Sequence, residues 1–483
     1  MNKLRIVEKN FSQLEDHKDS RWDSEYHTFT PFVSEHFPYT KIANVLKNAQ
    51  YGASIAMNEI GEGSPIYRMN ELHNMLADTD TEKYAPIEEE KLSKFLLNEG
   101  DILFNRTNSG DFVGRTGIYL PSKTEPRDKV FASYLVRYVV DEDLVLPEYL
   151  AAFLTSKYGH DDVIRRSRPS INQTNVNSEE VKDIDLPLLP RELQQKIKML
   201  FRYGSSKRRV AERSMRNAVS IIDKTVGYDR SFMHKNDLYC AIEEVSASNS
   251  IFNSKNNRID AEYFQPIYNN LYDTIKQNVG IGTIATELKI HDRNFTPETN
   301  VLYQYVEISD ISSIGTFNSA TEELGNLLPT RARRKIHTGQ VLVPSVEGSL
   351  KNCALVDQSM DNSLCSTGFY VVSSEKYSSH TLLAIFKSGA VQAFMKQSCS
   401  GTILTSMRKE DFRSTPFPKI PAAVQELTDI EVARCLAADA YSKLALLTAV
   451  KVVEIALDQG KEAADSVFDN FIEAVKQNMI SKY

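Results

Sequence analysis

The sequence lacks several features that would place it in a special class of protein. It has no Cys-x-x-Cys pair among its five cysteines, so we expect no structural zinc and a reducing environment. No apolar run is long enough to cross a membrane, and the first residues lack the apolar segment of a secretory signal. These absences predict a cytoplasmic protein. The cysteines are Cys240, Cys353, Cys365, Cys399 and Cys435.

Signature motifs of several enzyme classes are missing as well. There is no Gly-x-x-x-x-Gly-Lys-Ser/Thr loop for ATP, and no Asp-Pro-Pro-Tyr or Asn-Pro-Pro-Tyr/Phe segment for methyl transfer to a base. Residues 280–285 match the letter of a dinucleotide fingerprint, but helix-like residues precede them, which favours a loop entering a strand. The nine histidines are scattered, and residues 88–91 are interpreted as a solvated surface run. We therefore expect no catalytic residues, no metal and no cofactor in this chain.

Charge is distributed unevenly along the sequence. The formal net charge is −7, whereas a simple DNA-binding domain is usually basic. Residues 191–216, however, carry nine lysines and arginines against two glutamates. A locally basic stretch on an acidic chain can lie along phosphates.

The most informative property is an internal repeat. Residues 21–26 (RWDSEY) recur at 258–263 (RIDAEY), 99–104 (EGDILF) at 338–343 (TGQVLV), and 186–190 (LPLLP) at 417–421 (FPKIP). The offset stays between 231 and 239 residues over the whole span. A period of this length predicts duplication of a domain and excludes an array of short repeats.

Hydrophobic patterning predicts the same mixed α/β plan in both halves, followed each time by a long helix. The first half contains strand-like residues at 101–105, 113–120 and 132–140, a helix at 147–154 and an irregular stretch at 170–178. The second half contains strand-like residues at 340–344, 353–356 and 368–372 and a helix at 382–386. Long helices are predicted from Pro190 to Gly227, with a possible kink at Gly204, and from Pro421 to Gly460. A final amphipathic helix follows the second of them.

The two long helices are predicted to pack on one another. The first is basic, the second is acidic, and each carries an apolar stripe. Because a domain precedes each helix, the helices are expected to run antiparallel, with one domain at each end of a rod. The predicted boundaries are 1–188 for the first domain, 189–228 for its helix, 229–420 for the second domain, and 421–483 for the second helix together with the final one.

Three stretches have the composition of polynucleotide contacts. Residues 105–110 follow a strand and combine donors, acceptors and a glycine. Residues 165–173 mix arginine with asparagine and glutamine, which are the side chains that recognise guanine and adenine edges. Residues 331–335 form a compact basic cluster suited to phosphates. Loops at 347–351 and 398–402 occupy matching places in the second half. The candidate DNA-binding residues are Arg106, Asn108, Ser109, Arg115, Arg165, Arg166, Arg168, Asn172, Gln173, Arg331, Arg333, Arg334, Lys335, Ser349, Lys351, Ser400 and Thr402.

In these segments the chain resembles the specificity subunits of type I restriction–modification systems. The resemblance is carried by residues 100–104 (GDILF), 113–119 (VGRTGIY), 131–137 (FASYLVR), 147–150 (PEYL), and 186–190 ahead of 193–197 (LQQKI). It extends over both halves. In the second half Gln340 replaces the strand aspartate, and residues 422–425 replace the glutamine-rich start of the helix.

The resemblance implies an α/β (α+β) architecture and a set of partners. It implies two similar mixed α/β target-recognition domains separated by two long antiparallel helices, an internal duplication with pseudo-twofold symmetry. Such a chain selects a DNA site and docks two adenine-N6 methyltransferase subunits, and motor–nuclease subunits can join. S-adenosylmethionine and ATP are then expected on the partner subunits, and this chain is not itself the enzyme.

Geometry predicts a bipartite and asymmetric DNA site. A helix of about 30 residues spans roughly 45 Å, and B-DNA rises about 3.4 Å per base pair, so two domains at that distance lie more than one turn apart. We therefore expect two short specified blocks separated by a gap that is not recognised. Two alternatives remain open, namely a stand-alone nuclease with a divergent active site and a scaffold that binds only protein.

Overall fold

The computed structural model describes residues 24–29, 31–78, 81–108, 112–122, 128–170, 173–229, 263–401 and 405–480. The chain forms two compact units: unit 1 comprises Met1–Arg209 and Ala440–Tyr483, and unit 2 comprises Val210–Asp439. Both divisions fall inside long helices, so the predicted domain boundaries stay a prediction. The repeat of 21–26 at 258–263 lies largely outside the described residues.

Unit 1 is a mixed α/β fold. Its strands are β1 (Tyr39–Lys41), β2 (Leu46–Tyr51), β3 (Ser64–Tyr67), β4 (Leu72–His73), β5 (Met75–Ala77), β6 (Tyr84–Ala85), β7 (Ile102–Asn105), β8 (Thr107–Asn108), β9 (Thr116–Ile118), β10 (Val130–Phe131), β11 (Leu135–Val140), β12 (Arg168–Ser170), β13 (Gln173–Asn175) and β14 (Asp185–Pro187). Its helices are α1 (Ser24–Thr28), α2 (Glu89–Phe95), α3 (Pro147–Thr155), α4 (Lys157–Arg165), α5 (Ser178–Lys182) and the first part of α6 (Arg191–Val226). The predicted strands at 113–120 and 132–140 are shorter than expected. The stretch 170–178, predicted to be irregular, contains the hairpin strand β13 and the first residue of helix α5.

Unit 2 has the same kinds of elements. Its strands are β15 (Ile281–Thr283), β16 (Lys289–His291), β17 (Leu302–Val306), β18 (Thr321–Leu324), β19 (Ala332–Lys335), β20 (Val341–Pro344), β21 (Ala354–Leu355), β22 (Leu364–Ser366), β23 (Phe369–Ser373), β24 (Cys399–Ser400), β25 (Ser406–Met407) and β26 (Pro416–Pro418). Its helices are α7 (Pro266–Asn278), α8 (Ile284–Glu287), α9 (Ser379–Lys387), α10 (Gly389–Ser398), α11 (Lys409–Ser414) and the first part of α12 (Ala422–Gln459), whose remainder belongs with α13 (Lys461–Ile480) to unit 1.

Strand pairing confirms the duplication predicted from the sequence. The main sheet of unit 1 contains the order β2-β11-β7-β9, and that of unit 2 has the order β16-β23-β20-β21. Each unit also has a second sheet. In unit 1, β3 pairs in parallel with β10 and antiparallel with β6. In unit 2, β17 likewise pairs in parallel with β22 and antiparallel with β18. The pairs β1–β14 and β15–β26 also correspond. Each unit therefore repeats one topology in one chain order.

The central strands β7 and β20 begin in the same way despite different side chains. Gly100 and Gly339 precede them with φ of 92° and 84°, a left-handed conformation that favours glycine. The next side chain then accepts a hydrogen bond from the backbone three residues earlier: Asp101 Oδ2 from Asn98 N at 2.9 Å, and Gln340 Oε1 from His337 N at 2.8 Å. Gln340 thus performs the turn-closing role of the aspartate it replaces.

At the start of this strand the two units differ at two charged positions, and the two changes offset each other. In unit 1 the buried Asp101 lies 3.4 Å from the guanidinium of Arg137 on β11, and burial raises the pKa of that carboxyl although Asn98 and Arg137 oppose the shift. Arg137 pairs with Leu103, and in unit 2 Val371 pairs with the equivalent Leu342. Unit 2 therefore replaces a buried ion pair with a neutral amide and an apolar side chain.

The long helices α6 and α12 form as predicted, and each ends before a glycine with positive φ, Gly227 at 77° and Gly460 at 87°. Gly204 does not interrupt α6. It permits a close approach instead, because an added Cβ would lie 2.9 Å from Leu446 Cγ, and Ser442 Oγ donates to its carbonyl at 2.8 Å.

The antiparallel pairing of α6 and α12 is confirmed, while the contribution of their opposite charges stays a prediction. In unit 1 Lys207 lies over the ring of Tyr441, one turn beyond the close approach of Gly204 to Leu446. In unit 2 Asn217 Nδ2 donates to Glu431 Oε2 at 3.3 Å. Lys196 of α6 pairs with Asp465 of the following helix α13 at 2.9 Å.

We predict that Arg137→Val destabilises unit 1 by about 3–5 kcal/mol at neutral pH, because it leaves Asp101 buried and unpaired. The double variant Asp101→Gln with Arg137→Val reproduces the unit 2 arrangement and should recover a substantial part of that loss. Equilibrium urea unfolding of the full chain measures both.

The pH dependence of this pair has a definite sign. Removing Arg137 raises the Asp101 pKa further, so the charged form is penalised in the folded state and stability is lost as pH rises through that pKa. The deficit of Arg137→Val should therefore shrink as the pH is lowered towards the ordinary carboxyl pKa. A deficit that is independent of pH, or a double variant as unstable as the single one, would contradict this account.

Candidate nucleic-acid interface

In unit 1 the candidate residues of the 105–115 loop lie at the carboxyl end of the central strand. Asn105 closes this loop, because its Nδ2 donates to Phe112 O at 3.0 Å and its backbone N donates to Arg115 O at 2.8 Å. The guanidinium of Arg115 stacks on the ring of Phe112, with Cζ 3.9 Å from the centroid. Ser109 lies outside the described residues.

A small three-stranded sheet joins this loop to the second candidate stretch. Its order is β12-β13-β8, with Thr174 paired to Asn108 and Ser170 paired to Gln173. Asn108 is thereby brought onto one sheet with Arg168 and Gln173, which follow it by 60 and 65 residues in the sequence. Asn172 lies outside the described residues.

Unit 2 builds the equivalent corner from different side chains. The hairpin β24–β25 pairs Ser400 with Ser406, and Ser406 also bridges to Val346 beside the 3-10 turn Glu347–Ser349. The carbonyl of the exposed Lys351 accepts from Lys387 Nζ at 2.9 Å. Thr402 lies outside the described residues. The predicted alignment of the 398–402 loop with the 168–174 hairpin is confirmed by these pairings.

The basic cluster 331–335 lies on β19, in another sheet of unit 2, and its arginines are largely engaged. Arg331 pairs with Glu307 at 2.7 Å, Arg333 Nε donates to Thr330 O at 2.8 Å, and Arg334 donates to Phe369 O. Lys335 is exposed, with Nζ 5.5 Å from the centre of the Phe295 ring. Arg331 keeps 57% of its side chain accessible. Arg331 and Lys335 are therefore the cluster members best placed to meet a phosphate.

Two of the predicted DNA-binding arginines are occupied within the fold. Arg165 Nε lies 2.7 Å and Arg166 Nε 3.2 Å from the same oxygen of the buried Asp162, and the side chains are 11% and 7% exposed. Both lie at the end of α4, three and four residues after Asp162, where helical neighbours meet. Arg168, in contrast, pairs with Glu180 at 2.7 Å while 48% of its side chain is accessible. The geometry favours Arg168 as a surface contact and gives Arg165 and Arg166 a role in folding.

Several side chains of the basic stretch 191–216 form ion pairs within unit 1. In unit 1 its side chains pair with acidic groups from distant parts of the sequence: Arg202 with Glu99, Arg208 with Asp78, and Lys196 with Asp465. Lys198 lies 3.7 Å from Glu142. The expectation that this stretch lies along phosphates therefore stays a prediction, and these four side chains would have to exchange an internal ion pair for a phosphate.

Two exposed tyrosines beside Arg106 were missed by the sequence analysis. Tyr51, at the end of β2, is 45% exposed and lies beneath the Arg106 guanidinium, with Cζ 4.9 Å from the ring centre. Tyr134 is 40% exposed, and its carbonyl accepts from Arg106 N at 3.1 Å. Exposed aromatic rings can stack on bases. In the sequence, the only sign of Tyr51 as a candidate was an aromatic residue at the end of a polar strand. This sign is weak unless the pairing of β2 with β11 is known.

The described part of the chain lacks the features of several other functional classes. There, no group of three or more histidine, cysteine, aspartate or glutamate side chains could hold a metal ion. Gly280, with φ of 80°, lies between helix α7 and strand β15, which is the reverse of the strand-to-helix order of a dinucleotide site. Four cysteines are described, and all four are buried free thiols. None of the described helices has the length and apolar character required to cross a membrane.

Comparison with known proteins gives matches among restriction systems. The chain is 24% identical over 200 residues to the type I restriction enzyme EcoKI specificity subunit of Escherichia coli (strain K12), covering 40% of this chain and 41% of that one. It is 24% identical over 167 residues to the putative type I restriction enzyme MjaX specificity subunit of Methanocaldococcus jannaschii, covering 34% of this chain and 38% of that one. These matches span about two fifths of the length of each relative. No protein-family model matches the chain.

Solved structures of such subunits were also found. The S subunit of the type I restriction–modification system from M. genitalium is 11% identical with a TM-score of 0.31, over 92% of this chain and 99% of that one. The HsdS subunit from Thermoanaerobacter tengcongensis is 10% identical with a TM-score of 0.26, over 91% of this chain and 98% of that one. TM-scores this low do not support any conclusion, so the similarity to specificity subunits relies on the sequence matches alone.

The matched proteins thus fall within one class, the components of restriction–modification systems. More particularly, both curated relatives are specificity subunits of type I enzymes, so the resemblance predicted from the sequence is confirmed.

We predict that Arg166→Ala destabilises the chain by about 3 kcal/mol, at the lower end for a broken buried ion pair because Arg165 still contacts Asp162. Arg168→Ala should cost less, about 1 kcal/mol, because 48% of the Arg168 side chain is accessible to solvent, although its partner Glu180 is only 11% exposed. Urea unfolding of the two variants provides a matched comparison. Equal losses would contradict the assignment of Arg166 to the fold and Arg168 to the surface.

Proposed function

We propose that this chain is the DNA-specificity subunit of a type I restriction–modification complex and that it recognises a bipartite, asymmetric DNA site. The observation that carries the proposal is the repeated topology with diverged loop chemistry. In both units the central strand leads into a polar turn paired with a hairpin, yet unit 1 presents Asn108, Arg168 and Gln173 where unit 2 presents Ser400 and Ser349. Two copies of one scaffold with different polar side chains are suited to two different short sequences.

We base a division of labour on the matched relatives, both of which are specificity subunits of type I restriction enzymes. We propose that methyl transfer to adenine N6 occurs on partner subunits, which bind S-adenosylmethionine, and that any ATP-driven motor–nuclease is likewise a separate chain. The present chain then contributes site selection and docking but no catalytic group. A metal-dependent nuclease activity of the isolated chain would favour the alternative of a stand-alone nuclease.

Methylome sequencing tests the recognition proposal. Cells that express this chain with its neighbouring methyltransferase should show adenine methylation at two short specified blocks separated by a gap of fixed length. Replacing residues 1–188 with the same region of a relative should change one block and leave the other intact. Cells with the methyltransferase alone serve as the control and should lack this motif.

Three results would count against the proposal. A single continuous motif would contradict bipartite recognition, and a change in both blocks after the replacement would contradict modular recognition. Absence of binding to a duplex would favour the protein-only scaffold, whereas binding that weakens with rising salt would exclude it, because phosphate contacts release counterions.

Exposed apolar pairs on α12 support the docking of two partner subunits. In unit 1 Leu444 and Leu447 are 49% and 66% exposed, and in unit 2 Leu427 and Ile430 are 56% and 60% exposed. Each pair has the i, i+3 spacing that places two side chains on one helical face. Paired apolar side chains on a solvent-facing helix are typical of a protein interface. One pair in each unit fits two copies of a methyltransferase.

We predict that Leu444→Glu combined with Leu447→Glu reduces the methyltransferase content of the purified complex from two copies to one. Loss of a central apolar contact typically costs about 2 kcal/mol or more, roughly 30-fold in affinity, and the unit 2 pair remains intact. Leu144→Glu, at an equally exposed leucine of unit 1 outside α12, is the control and should retain both copies. Native mass spectrometry measures the stoichiometry. Two copies bound to the double variant would exclude this surface.

A further inference from the structure

Two hydrogen bonds hold the backbone of Arg106. It directly follows β7, its backbone N donates to Tyr134 O at 3.1 Å, and its carbonyl accepts from Val176 N at 2.9 Å. Its backbone is therefore fixed on both sides, between β11 and the end of β13.

The guanidinium of Arg106 is oriented by a ring and not by an acid. Its Cζ lies 4.9 Å from the centre of the Tyr51 ring, within cation–π range. The Nε atom is buried and has no hydrogen-bond partner. Arg165, Arg166 and Arg168 instead pair with carboxylates. Arg106 thus keeps an oriented cation whose donors are not used by the described part of unit 1.

The equivalent position in unit 2 carries no cation. Asn105 pairs with Leu135 and Pro344 pairs with Phe369, so the residue after each central strand is Arg106 in unit 1 and Ser345 in unit 2. Ser345 Oγ donates to Gly368 O at 2.9 Å. The two units therefore differ at this corner in both charge and hydrogen-bonding capacity.

We infer that Arg106 recognises a guanine in the half-site contacted by unit 1, that Tyr51 is its positioning residue, and that unit 2 has no equivalent contact. The inference rests on the proposed function. A phosphate contact needs only a positive charge, which a mobile lysine supplies equally well. A guanidinium placed over a ring with Nε buried presents its two terminal nitrogens, and this fork matches O6 and N7 of guanine in the major groove.

The test is methylome sequencing of the full complex carrying substitutions at Arg106. The wild-type block assigned to unit 1 by replacement of residues 1–188 should contain a G·C pair. Arg106→Lys keeps the charge but loses the fork, and should relax selectivity at that pair by roughly 5- to 150-fold, as for loss of one bidentate contact. Arg106→Gln should shift the preference at that position towards adenine. The other block should not change.

Variants at Tyr51 test the positioning role separately. Tyr51→Ala removes the ring and should relax the same base pair, whereas Tyr51→Phe keeps the ring and should restore selectivity. Arg191→Lys serves as the substitution control, because Arg191 lies on α6 and donates to the carbonyl of Glu142. It should leave both blocks as in the wild type. If Arg106→Lys abolishes methylation altogether, the Tyr51 pair decides the outcome.

Several outcomes would overturn the inference and can be told apart. Full guanine selectivity in Arg106→Lys would indicate a phosphate contact. A unit 1 block without any G·C pair, or a Tyr51→Ala chain as selective as wild type, would exclude guanine recognition through this stack. In these cases a bipartite motif still supports the proposed function. Absence of any bipartite motif in the wild type would overturn the proposed function and, with it, this inference.

Discussion

Burial of the apolar faces of α6 and α12 is the constraint on which both units depend. In unit 1 Leu193, Ile197 and Phe201 of α6 lie in the same core as Val452 and Ala456 of α12. In unit 2, Met215 and Ile222 of α6 lie in the same core as Val432 and Cys435 of α12. A helix in water gains most of its stability from such tertiary packing. Each long helix is therefore part of two cores, and neither is a spacer independent of the domains.

The contact of Gly204 with Leu446 shows how closely the helices approach. A side chain at Gly204 would meet Leu446 and the carbonyl of Ser442, so glycine is retained there despite its low helix propensity. From the sequence alone the glycine predicted a weak point, because its conformational freedom is visible while its neighbour, 242 positions away, is not. Residues that appear to weaken an element locally can thus be required by its packing.

Features that depend on residues close together in the sequence could be predicted, whereas features that depend on distant residues could not. Strands, helices and the duplication were predictable, because hydrophobic periodicity and the repeat are local or directly aligned. In the sequence, Gln340 in place of Asp101 looked like loss of the motif in the second half. Both side chains, however, supply the oxygen that accepts the backbone hydrogen bond of the turn. The compensating change from Arg137 to Val371 could not be predicted, since it depends on strand register.

The candidate site was predicted less well, for the same reason. The sequence identified polar loops that β8, β12 and β13 bring together, but it gave equal weight to every arginine within them. Asp162 is visible three and four residues before Arg165 and Arg166, and helical spacing could have predicted that pairing. The partners of the basic stretch on α6 could not be found in this way, because Glu99, Asp78 and Asp465 are remote in sequence.

These internal ion pairs also bear on how a chain with net charge −7 could engage a polyanion. Several cations of the basic stretch of α6 are paired with carboxylates within unit 1, which weakens their long-range attraction, and salt screens what remains beyond about 10 Å. Under the proposed function, recognition would then depend on short-range contacts of cations such as Arg106 and Arg168 in unit 1 and Lys335 on β19 of unit 2. Short-range contacts of this kind discriminate between bases more than they increase the rate at which protein and DNA associate. A specificity subunit that acts with catalytic partners needs the first property more than the second, since the partners can add contacts of their own.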